Sequence, residues 1–156
     1  MKTALLLVLN IHGAINSPGP VRKALDELKV IRRFTASVVS DDPATVGMLK
    51  LCKDYLAWSP VEADLLAVLL KERGMVSETK ELDSDSLKKL GFKSHEDLAG
   101  KMVKQGLRLS AYEGMLPFFK LAPPKGGFRR SMRRQHSERG ILGKNPELAE
   151  IVRRMI

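Results

Sequence analysis

The sequence is poor in cysteine and in aromatic residues, and each scarcity narrows what the chain can be. Cys52 is the only cysteine among 156 residues, so an intrachain disulfide is excluded. A reducing, intracellular setting is the default expectation for such a chain. Phe, Trp and Tyr together make up 5% of the residues, and a core built from aliphatic side chains is therefore predicted.

Patterns that mark metal centres and catalytic sites are also missing. The three histidines, His12, His95 and His136, are far apart in the sequence and have no second ligand at metal spacing. Neither G-x-x-x-x-G-K-[ST] nor G-x-G-x-x-G occurs, and no Ser/His/Asp or Cys/His arrangement is suggested. We therefore predict that the protein is not an enzyme and has no cofactor, metal or small-molecule substrate.

The chain has no long hydrophobic run. Residues 3–11 (TALLLVLNI) are mostly apolar but too few to span a bilayer, and no small-residue cleavage site follows them. Their length and composition instead predict a central strand that is buried on both faces. No membrane partner is expected, and a cytoplasmic location is predicted.

Strand and helix patterns alternate over residues 1–60. Apolar residues recur at helical spacing from Val21 to Leu28, and Asp42 followed by Pro43 is a helix start. The helix that starts there is expected to turn Ala44, Met48, Leu51 and Tyr55 inward. The successive elements are a strand at 3–11, a turn-rich loop at 12–20, a helix around 21–28, a strand at 30–39, a helix from Pro43 to about Lys53 and a short strand at 55–58. This β-α-β-α-β order predicts an α+β fold with a ferredoxin-like core, in which both helices pack on one face of a small sheet.

Residues 61–156 are expected to form a helical extension of that core. A capping box that begins at Ser59 predicts a helix ended by Gly74, and Ser94 starts a later helix that Gly106 ends. The remaining elements are a short helix near 84–90, a strand near 115–121, a basic arm at 125–144 and a terminal helix at 146–156. The terminal helix is expected to have Leu148, Ile151, Val152 and Met155 on one apolar face. Pro117 restricts the strand to a sheet edge or a bulge.

Positive charge is concentrated in the basic arm. Residues 125–144 contain seven Lys or Arg and one acid, Glu138, so they carry +6 of the chain's +9. Self-repulsion favours an extended arm, and docking on a polyanion would order it. A disordered basic tail is the alternative, but the arm lies between two apolar segments and contains Phe128. The pattern favours binding to nucleic acid over binding to an anionic membrane, because no basic amphipathic helix with a wide apolar face accompanies the arm.

Candidate RNA-binding residues fall in the arm, in the 12–20 loop and in the core. Arginine dominates the arm and offers a planar fork for phosphate, while Phe128 would either stack on an unpaired base or anchor the arm. The loop precedes a helix N-terminus, where phosphates bind; an ordinary connecting loop is the alternative. Arg32 and Arg33, adjacent in a predicted strand, would point to opposite sheet faces, one of them open to RNA. The full set is His12, Ser17, Arg22, Lys23, Arg32, Arg33, Lys50, Lys53, Lys125, Phe128, Arg129, Arg130, Arg133, Arg134, His136, Arg139 and Lys144.

Three stretches resemble the large-subunit ribosomal protein L-thirty family in its longer archaeal form, the counterpart of the L-seven protein of eukaryotic ribosomes. They are HGAINSPGPVRKALDELKV, DDPATVGMLKLCKDYLAW, and PFFKLAPPKGGF with the later GILGKNPELAEIVRRMI. The second is similar to the family's D-T-P-A-x-x-G-M helix. The third resembles its P-F-K-L-x-x-P-x-G-G segment and closing G-x-x-G-[KN] helix, and SHEDLAGKMVKQG resembles its helix before the arm.

This resemblance implies a structural, non-catalytic role in the large ribosomal subunit, with a ferredoxin-like core wrapped by an archaeal extension. It implies binding to 23S-type rRNA, with 5S rRNA and neighbouring large-subunit proteins as further partners. Two positions depart from the family pattern: His12 stands where many members have arginine, and Arg139 replaces the first residue of a Gly-Gly pair. The alternative function is a small-molecule-sensing domain that uses the 12–20 loop and carries the arm as a nucleic-acid tether.

Overall fold

Six strands form one mixed sheet in the computed structural model, which describes residues 4–112 and 115–156. The strands are β1 (Leu5–Asn10), β2 (Thr35–Ser40), β3 (Leu56–Pro60), β4 (Phe119–Lys120), β5 (Ser131–Gln135) and β6 (Gly140–Lys144). The helices are α1 (Gly19–Glu27), α2 (Pro43–Leu51), α3 (Ala63–Arg73), α4 (Ser84–Lys89), α5 (His95–Gln105) and α6 (Leu148–Met155). Two 3-10 turns lie at Leu109–Ala111 and His136–Glu138. The strands are ordered β4-β2-β1-β3-β6-β5, and the α+β fold with its β-α-β-α-β core is confirmed.

Strand β1 lies at the centre of the sheet and separates two hydrophobic clusters. It pairs antiparallel with β2 and β3, and all six of its residues are buried. Leu6 and Val8 pack in the cluster that contains α1 and Leu49 of α2. Leu7 and Leu9 pack in the larger cluster, which contains α3, α5 and α6. The predictions of a strand buried on both faces and of two core helices on one face are confirmed; residue 3, the first of the predicted strand, lies outside the described residues.

The prediction that Arg32 and Arg33 lie in a strand is wrong. Strand β2 begins at Thr35, and the two arginines lie in the turn that precedes it. Left-handed backbone at Lys29 and Phe34, with φ of 63° and 59°, breaks the extended conformation that the apolar sequence suggested. The expected open sheet face is also wrong, because the helices of the extension cover it.

Helix α2 starts where the sequence predicts and buries a different face from the one expected. The Asp42 carboxylate accepts a hydrogen bond from the Thr45 N–H at 2.7 Å, as an N-cap does. Thr45, Leu49 and Cys52 are buried, at i, i+4 and i+7, whereas Leu51 is 52% exposed. The expected inward face, built on Ala44, Met48, Leu51 and Tyr55, is therefore wrong by one position in helical register.

The caps of the extension's helices are predicted correctly at three of four ends. Ser94 accepts the Asp97 N–H at 3.1 Å, Gly106 ends α5 in left-handed conformation, and Gly74 follows the last residue of α3. The capping box at Ser59 is wrong, because Ser59 belongs to β3 and α3 begins after Glu62 without a side-chain cap. Residues 115–121 contribute only the two-residue strand β4, which pairs with β2 at a sheet edge as Pro117 predicts.

The basic arm is folded into the sheet, which corrects the expectation that only RNA would order it. Strand β6 pairs parallel with β3, and β5 pairs parallel with β6. The arm can fold because residues 140–143 are small or apolar and are all buried in the structure. Helix α6 follows with Leu148, Ile151, Val152 and Met155 buried, and this predicted face is confirmed.

Candidate nucleic-acid interface

The 12–20 loop and the 31–34 turn are held side by side by Asn10, a fully buried residue at the end of β1. Its side chain accepts the Gly13 N–H at 2.7 Å and donates to the Val30 carbonyl. Its own carbonyl accepts the Phe34 N–H at 2.7 Å. The side chain and the main-chain carbonyl of this one buried residue therefore satisfy backbone groups of the loop, of Val30 and of the turn, so the two segments are held against the end of β1. Asn10 is not among the residues predicted from the sequence, although an amide inside an otherwise apolar strand was an available signal.

Two arginines lie on this scaffold with restricted side chains. The Arg33 Nε donates to the Ile11 carbonyl at 3.0 Å, and its guanidinium carbon lies 4.6 Å from the centroid of the Phe34 ring. The Arg22 Nη2 donates to the Ala14 carbonyl at 3.3 Å. A guanidinium has five N–H donors, so each arginine retains donors for a further acceptor. Such pre-ordered forks suit phosphate binding.

The other loop candidates are placed differently. Ser17 is half-buried and donates its hydroxyl proton to the Ala14 carbonyl at 2.6 Å, so it stabilises the loop itself. Lys23 is exposed on the outer side of α1. Arg32 is exposed in the turn, and it lines the same cleft as Arg22 and Arg33. The structure therefore brings three arginines together at one end of the sheet.

A hydrogen bond and an aromatic contact join this end of the core to the arm. The His12 Nε2 lies within hydrogen-bond distance of the Met132 carbonyl in β5. The rings of Phe34 and Phe128 are 6.0 Å apart between centroids, in a tilted arrangement. Of the two roles predicted for Phe128, the structure shows the anchoring one, since the half-buried ring packs against the core. The loop, the turn and the arm thus form one continuous surface.

The cations of the arm are arranged along this surface. Arg133 and Arg134 are exposed on β5, and Arg129 and Arg139 are exposed in left-handed turns with φ of 62° and 65°. Lys125 is exposed in the turn before them.

Glu147 partly neutralises the arm next to α6. Its carboxylate lies 3.4 Å from Arg130 and 3.8 Å from the half-buried His136 ring. An exposed pair of this kind contributes at most about 1 kcal/mol, so Arg130 can exchange it for a phosphate.

Lysines of the core and of the arm meet around Trp58. Lys50 of α2 and Lys144 of β6 line one cleft with the half-buried Trp58 and with Asp41. Lys53 is exposed beyond the end of α2, and its carbonyl accepts the Gln135 side-chain N–H at 2.9 Å. Residues 53 and 54 are therefore tied to β5. The predicted core and arm sites are adjacent in space although about ninety residues separate them in sequence.

Two arginines absent from the predicted set hold the extension in place. Arg154 of α6 donates from Nη1 to the Lys125 carbonyl at 3.2 Å and to the Gly127 carbonyl at 2.6 Å, which fixes the turn that starts the arm. Arg108 lies 3.5 Å from the Asp42 carboxylate and 3.2 Å from the Ser40 hydroxyl. Hydrogen bonds from Thr45 and Ser40 and the charge of Arg108 hold the pKa of Asp42 below its usual value.

The single cysteine lies in the core of the protein. Burial raises the pKa of the Cys52 thiol to about 11, so it stays protonated and unreactive at neutral pH. Within residues 4–112 and 115–156, no three His, Cys, Asp or Glu side chains are grouped to hold a metal ion. In the same part of the chain, no helix combines the length and the apolar character that crossing a membrane requires.

Comparison with curated proteins finds similar sequences of full length in archaea. The protein named large ribosomal subunit protein uL30 of Nitrosopumilus maritimus is 36% identical over 151 residues, covering 97% of both chains. The protein of the same name from Thermofilum pendens is 36% identical over 155 residues, covering 98% of this chain and 99% of its own. That of Ignicoccus hospitalis is 35% identical over 159 residues and covers both chains completely. No protein-family model matches the sequence.

Proposed function

Because this chain belongs to the family of large ribosomal subunit protein uL30, we propose that it is a structural constituent of the large ribosomal subunit that binds and stabilises folded 23S-type rRNA. Its place of action is the cytoplasmic ribosome. The role requires no catalytic residue and no cofactor. Neighbouring large-subunit proteins and 5S rRNA are further proposed partners.

The observation that carries this proposal is the continuity of the basic surface. His12 contacts Met132, and Phe34 packs on Phe128. The arginines of the core turn and of the arm therefore belong to one continuous surface. Phosphate groups of folded RNA are spaced along such a face and would be neutralised by several guanidinium groups at once. Recognition of this kind depends on the shape of the RNA more than on its sequence.

The face is divided between the core and the extension. We assign residues 1–60 to the RNA-binding core and residues 61–156 to an extension that supplies the arm. In this division α3, α4 and α5 complete the hydrophobic core, while β5 and its flanking turns carry the phosphate contacts. The whole predicted residue set, from His12 to Lys144, is the proposed footprint, with Ser17, His12 and Phe128 shaping it rather than contacting phosphate.

The test is the salt dependence of binding to a large-subunit rRNA transcript. Arg129, Arg130, Arg133 and Arg134 are replaced together by alanine, and the dissociation constant is measured from low to moderate salt. Removal of one cation from its phosphate flattens the slope of log K against log salt by about 0.7–0.9, so a change of about 3 is expected for four. The thermal transition of the protein should stay unchanged, because these side chains are exposed.

A matched control removes the same charge elsewhere. Lys71, Lys80, Lys88 and Lys89 are exposed on the α3 and α4 side of the molecule, and their replacement by alanine also lowers the net charge by four. We expect this variant to keep the slope of the unchanged protein. Equal slopes for both variants would mean that the arm forms no localised RNA contact, and a free pool that never co-sediments with large subunits would contradict the ribosomal role itself.

A further inference from the structure

Two clefts share Ile31 and Arg32, and these two residues are called the ridge between them. The first, of about 590 Å³, lies between the 12–20 loop and the ridge and is lined by Ile15, Arg22 and Arg33 among others. The second, of about 210 Å³, lies between the ridge and β4 and is lined by Lys29, Phe118, Lys120 and Glu78, with Thr35 at its floor. Because Ile31 and Arg32 belong to both, the two clefts form one track across this end of the protein.

The first cleft combines exposed apolar side chains with cations. Ile15 is 86% exposed at the tip of the loop, and Ile31 is 39% exposed on the ridge opposite. A single exposed isoleucine is common on protein surfaces. Here two of them share a cleft with three arginines, and no carboxylate lines it. The cleft therefore offers apolar contact and positive charge at the same place.

That combination matches an unpaired nucleotide. A nucleotide outside a helix exposes a flat base, whose face can pack on apolar side chains or guanidinium planes, beside a phosphate, which guanidinium groups bind. In a duplex the base faces are stacked and covered, so only the phosphates would find partners here. The volume of the first cleft falls within the range of about 300–1,000 Å³ that is typical of sites for small molecules and nucleotides.

On this basis we propose that the two clefts bind successive unpaired nucleotides of RNA across the Ile31–Arg32 ridge, an inference that rests on the proposed rRNA-binding function. Ile15 contacts the base, while Arg22, Arg32 and Arg33 contact the phosphates on either side. A polynucleotide fits better than a free nucleotide, because the track continues past the ridge to Lys29 and Lys120.

The site is pre-ordered for this role. Arg33 is fixed by the Ile11 carbonyl and the Phe34 ring, and Arg22 is fixed by the Ala14 carbonyl. Asn10 holds the loop and the turn at a constant separation. The side chains of Arg33 and Arg22 therefore lose less freedom on binding than unrestrained arginines would, and this favours affinity.

The experiment measures binding of the full-length protein to labelled RNA by fluorescence anisotropy at low salt. The probes are a twelve-nucleotide oligouridine, the same ribose-phosphate chain without bases, and a twelve-base-pair duplex. For the unchanged protein, removal of the bases should weaken binding about fivefold, because the apolar side chains then have no base to cover. Ile15→Ala should weaken oligouridine binding about fivefold and leave duplex binding unchanged. The variant should bind oligouridine and the chain without bases with equal affinity.

Two further variants sharpen the result. Leu51→Ala, at an apolar residue that is 52% exposed on α2, should behave as the unchanged protein with every probe. Arg32→Ala should flatten the salt slope for the single strand by about 0.7, the effect of one phosphate contact. Uridine monophosphate at millimolar concentration should fail to displace the oligouridine.

If Ile15→Ala binds oligouridine as tightly as the unchanged protein does, the proposal is wrong. A neighbouring protein is then the better candidate occupant of the cleft. Displacement by uridine monophosphate would overturn the proposal in favour of a free nucleotide. Either result leaves the proposed function intact if the four-arginine variant of the arm still changes the salt slope on rRNA. Absence of salt-dependent binding to every RNA would instead contradict the proposed function.

Discussion

Strands β6 and β5 are neighbours of five residues each, come from the same basic arm and have opposite physical characters. In β6, residues 140–143 are buried and only Lys144 is exposed. In β5, Ser131, Arg133 and Arg134 are exposed, and Met132 and Gln135 are half-buried. The difference shows that a segment of high positive charge can fold when its apolar residues are grouped in one strand and its arginines in the next. β6 attaches the arm to the core, and β5 presents cations.

The largest effect that distinguishes the two strands should come from Ile141→Ala. Ile141 is 1% exposed in the larger cluster, and truncation of a buried isoleucine lowers the free energy of unfolding by about 2–5 kcal/mol. Arg133→Ala in β5 should change it by less than about 0.5 kcal/mol. Urea denaturation measures both. For rRNA affinity the order of the two effects should reverse at temperatures where both variants are folded, since only Arg133→Ala removes a proposed phosphate contact. Similar stability losses for the two variants would remove the distinction between the strands.

A smaller effect is expected from Gly140→Ala, which tests how closely β5 approaches β6. A Cβ atom at residue 140 would lie 1.9 Å from the Arg134 carbonyl oxygen, a backbone atom, so β5 must move. Overpacking of this kind destabilises by about 1–3 kcal/mol. Gly100→Ala is the matched control, because nothing lies within 4 Å of a Cβ there and α5 should gain about 0.5–1 kcal/mol. A neutral Gly140→Ala would mean that β5 is held less closely than the structure indicates.

The attachment of the arm by β6 is also where prediction from sequence reached its limit. Segments whose signal is local were predicted correctly: the Ser94 cap, the Gly106 end of α5 and the apolar face of α6. The partner of β6 is β3, more than eighty residues earlier, and no local pattern encodes that parallel pairing. The turn at 31–34 was missed because the left-handed residues that bound it, Lys29 before it and Phe34 at its end, are not glycine.

The candidate site likewise contains residues that the sequence could predict and contacts that it could not. Charge counting located the arm, the loop and the wrongly predicted strand drew attention to the arginines of the core, and the family resemblance suggested RNA as their partner. Composition alone could not show that His12 contacts Met132 or that Phe34 packs on Phe128, and these contacts make the two groups one surface. Arg154 was missed because a basic residue in the last turn of a helix usually has a local explanation, whereas here it binds carbonyls of the arm.

Arg154→Ala should loosen the start of the arm without unfolding β6. The Arg154 guanidinium is the donor to two carbonyls at residues 125 and 127, and the site is exposed, so a decrease of about 0.5–1.5 kcal/mol in local stability is expected. Amide hydrogen exchange should accelerate at residues 125–129 and remain unchanged in β6. Arg153→Ala, one position earlier and exposed, is the matched control and should leave both segments protected as before. Faster exchange throughout β6 would show that the turn and the strand unfold together.

The smallest effect, and the one of opposite sign, should come from Arg139→Gly in the turn between β5 and β6. Arg139 has φ of 65° and ψ of 30°, a left-handed conformation that is unfavourable for residues with a Cβ atom and easy for glycine. The Gly-Gly pair expected from the family resemblance fits this geometry. Replacement by glycine should therefore raise the free energy of unfolding by about 0.5–1 kcal/mol.

If the strained arginine is retained for its charge, Arg139→Gly must also weaken rRNA binding and flatten the salt slope by about 0.7–0.9. Lys29→Gly tests the stability gain by itself, since Lys29 has a similar φ of 63° in a different turn, at the end of α1. It should gain comparable stability; its rRNA affinity is no control, because Lys29 lines the second cleft. A more stable Arg139→Gly protein with unchanged rRNA binding would show that the turn belongs with β6, as attachment, and that the cationic face ends at Arg134.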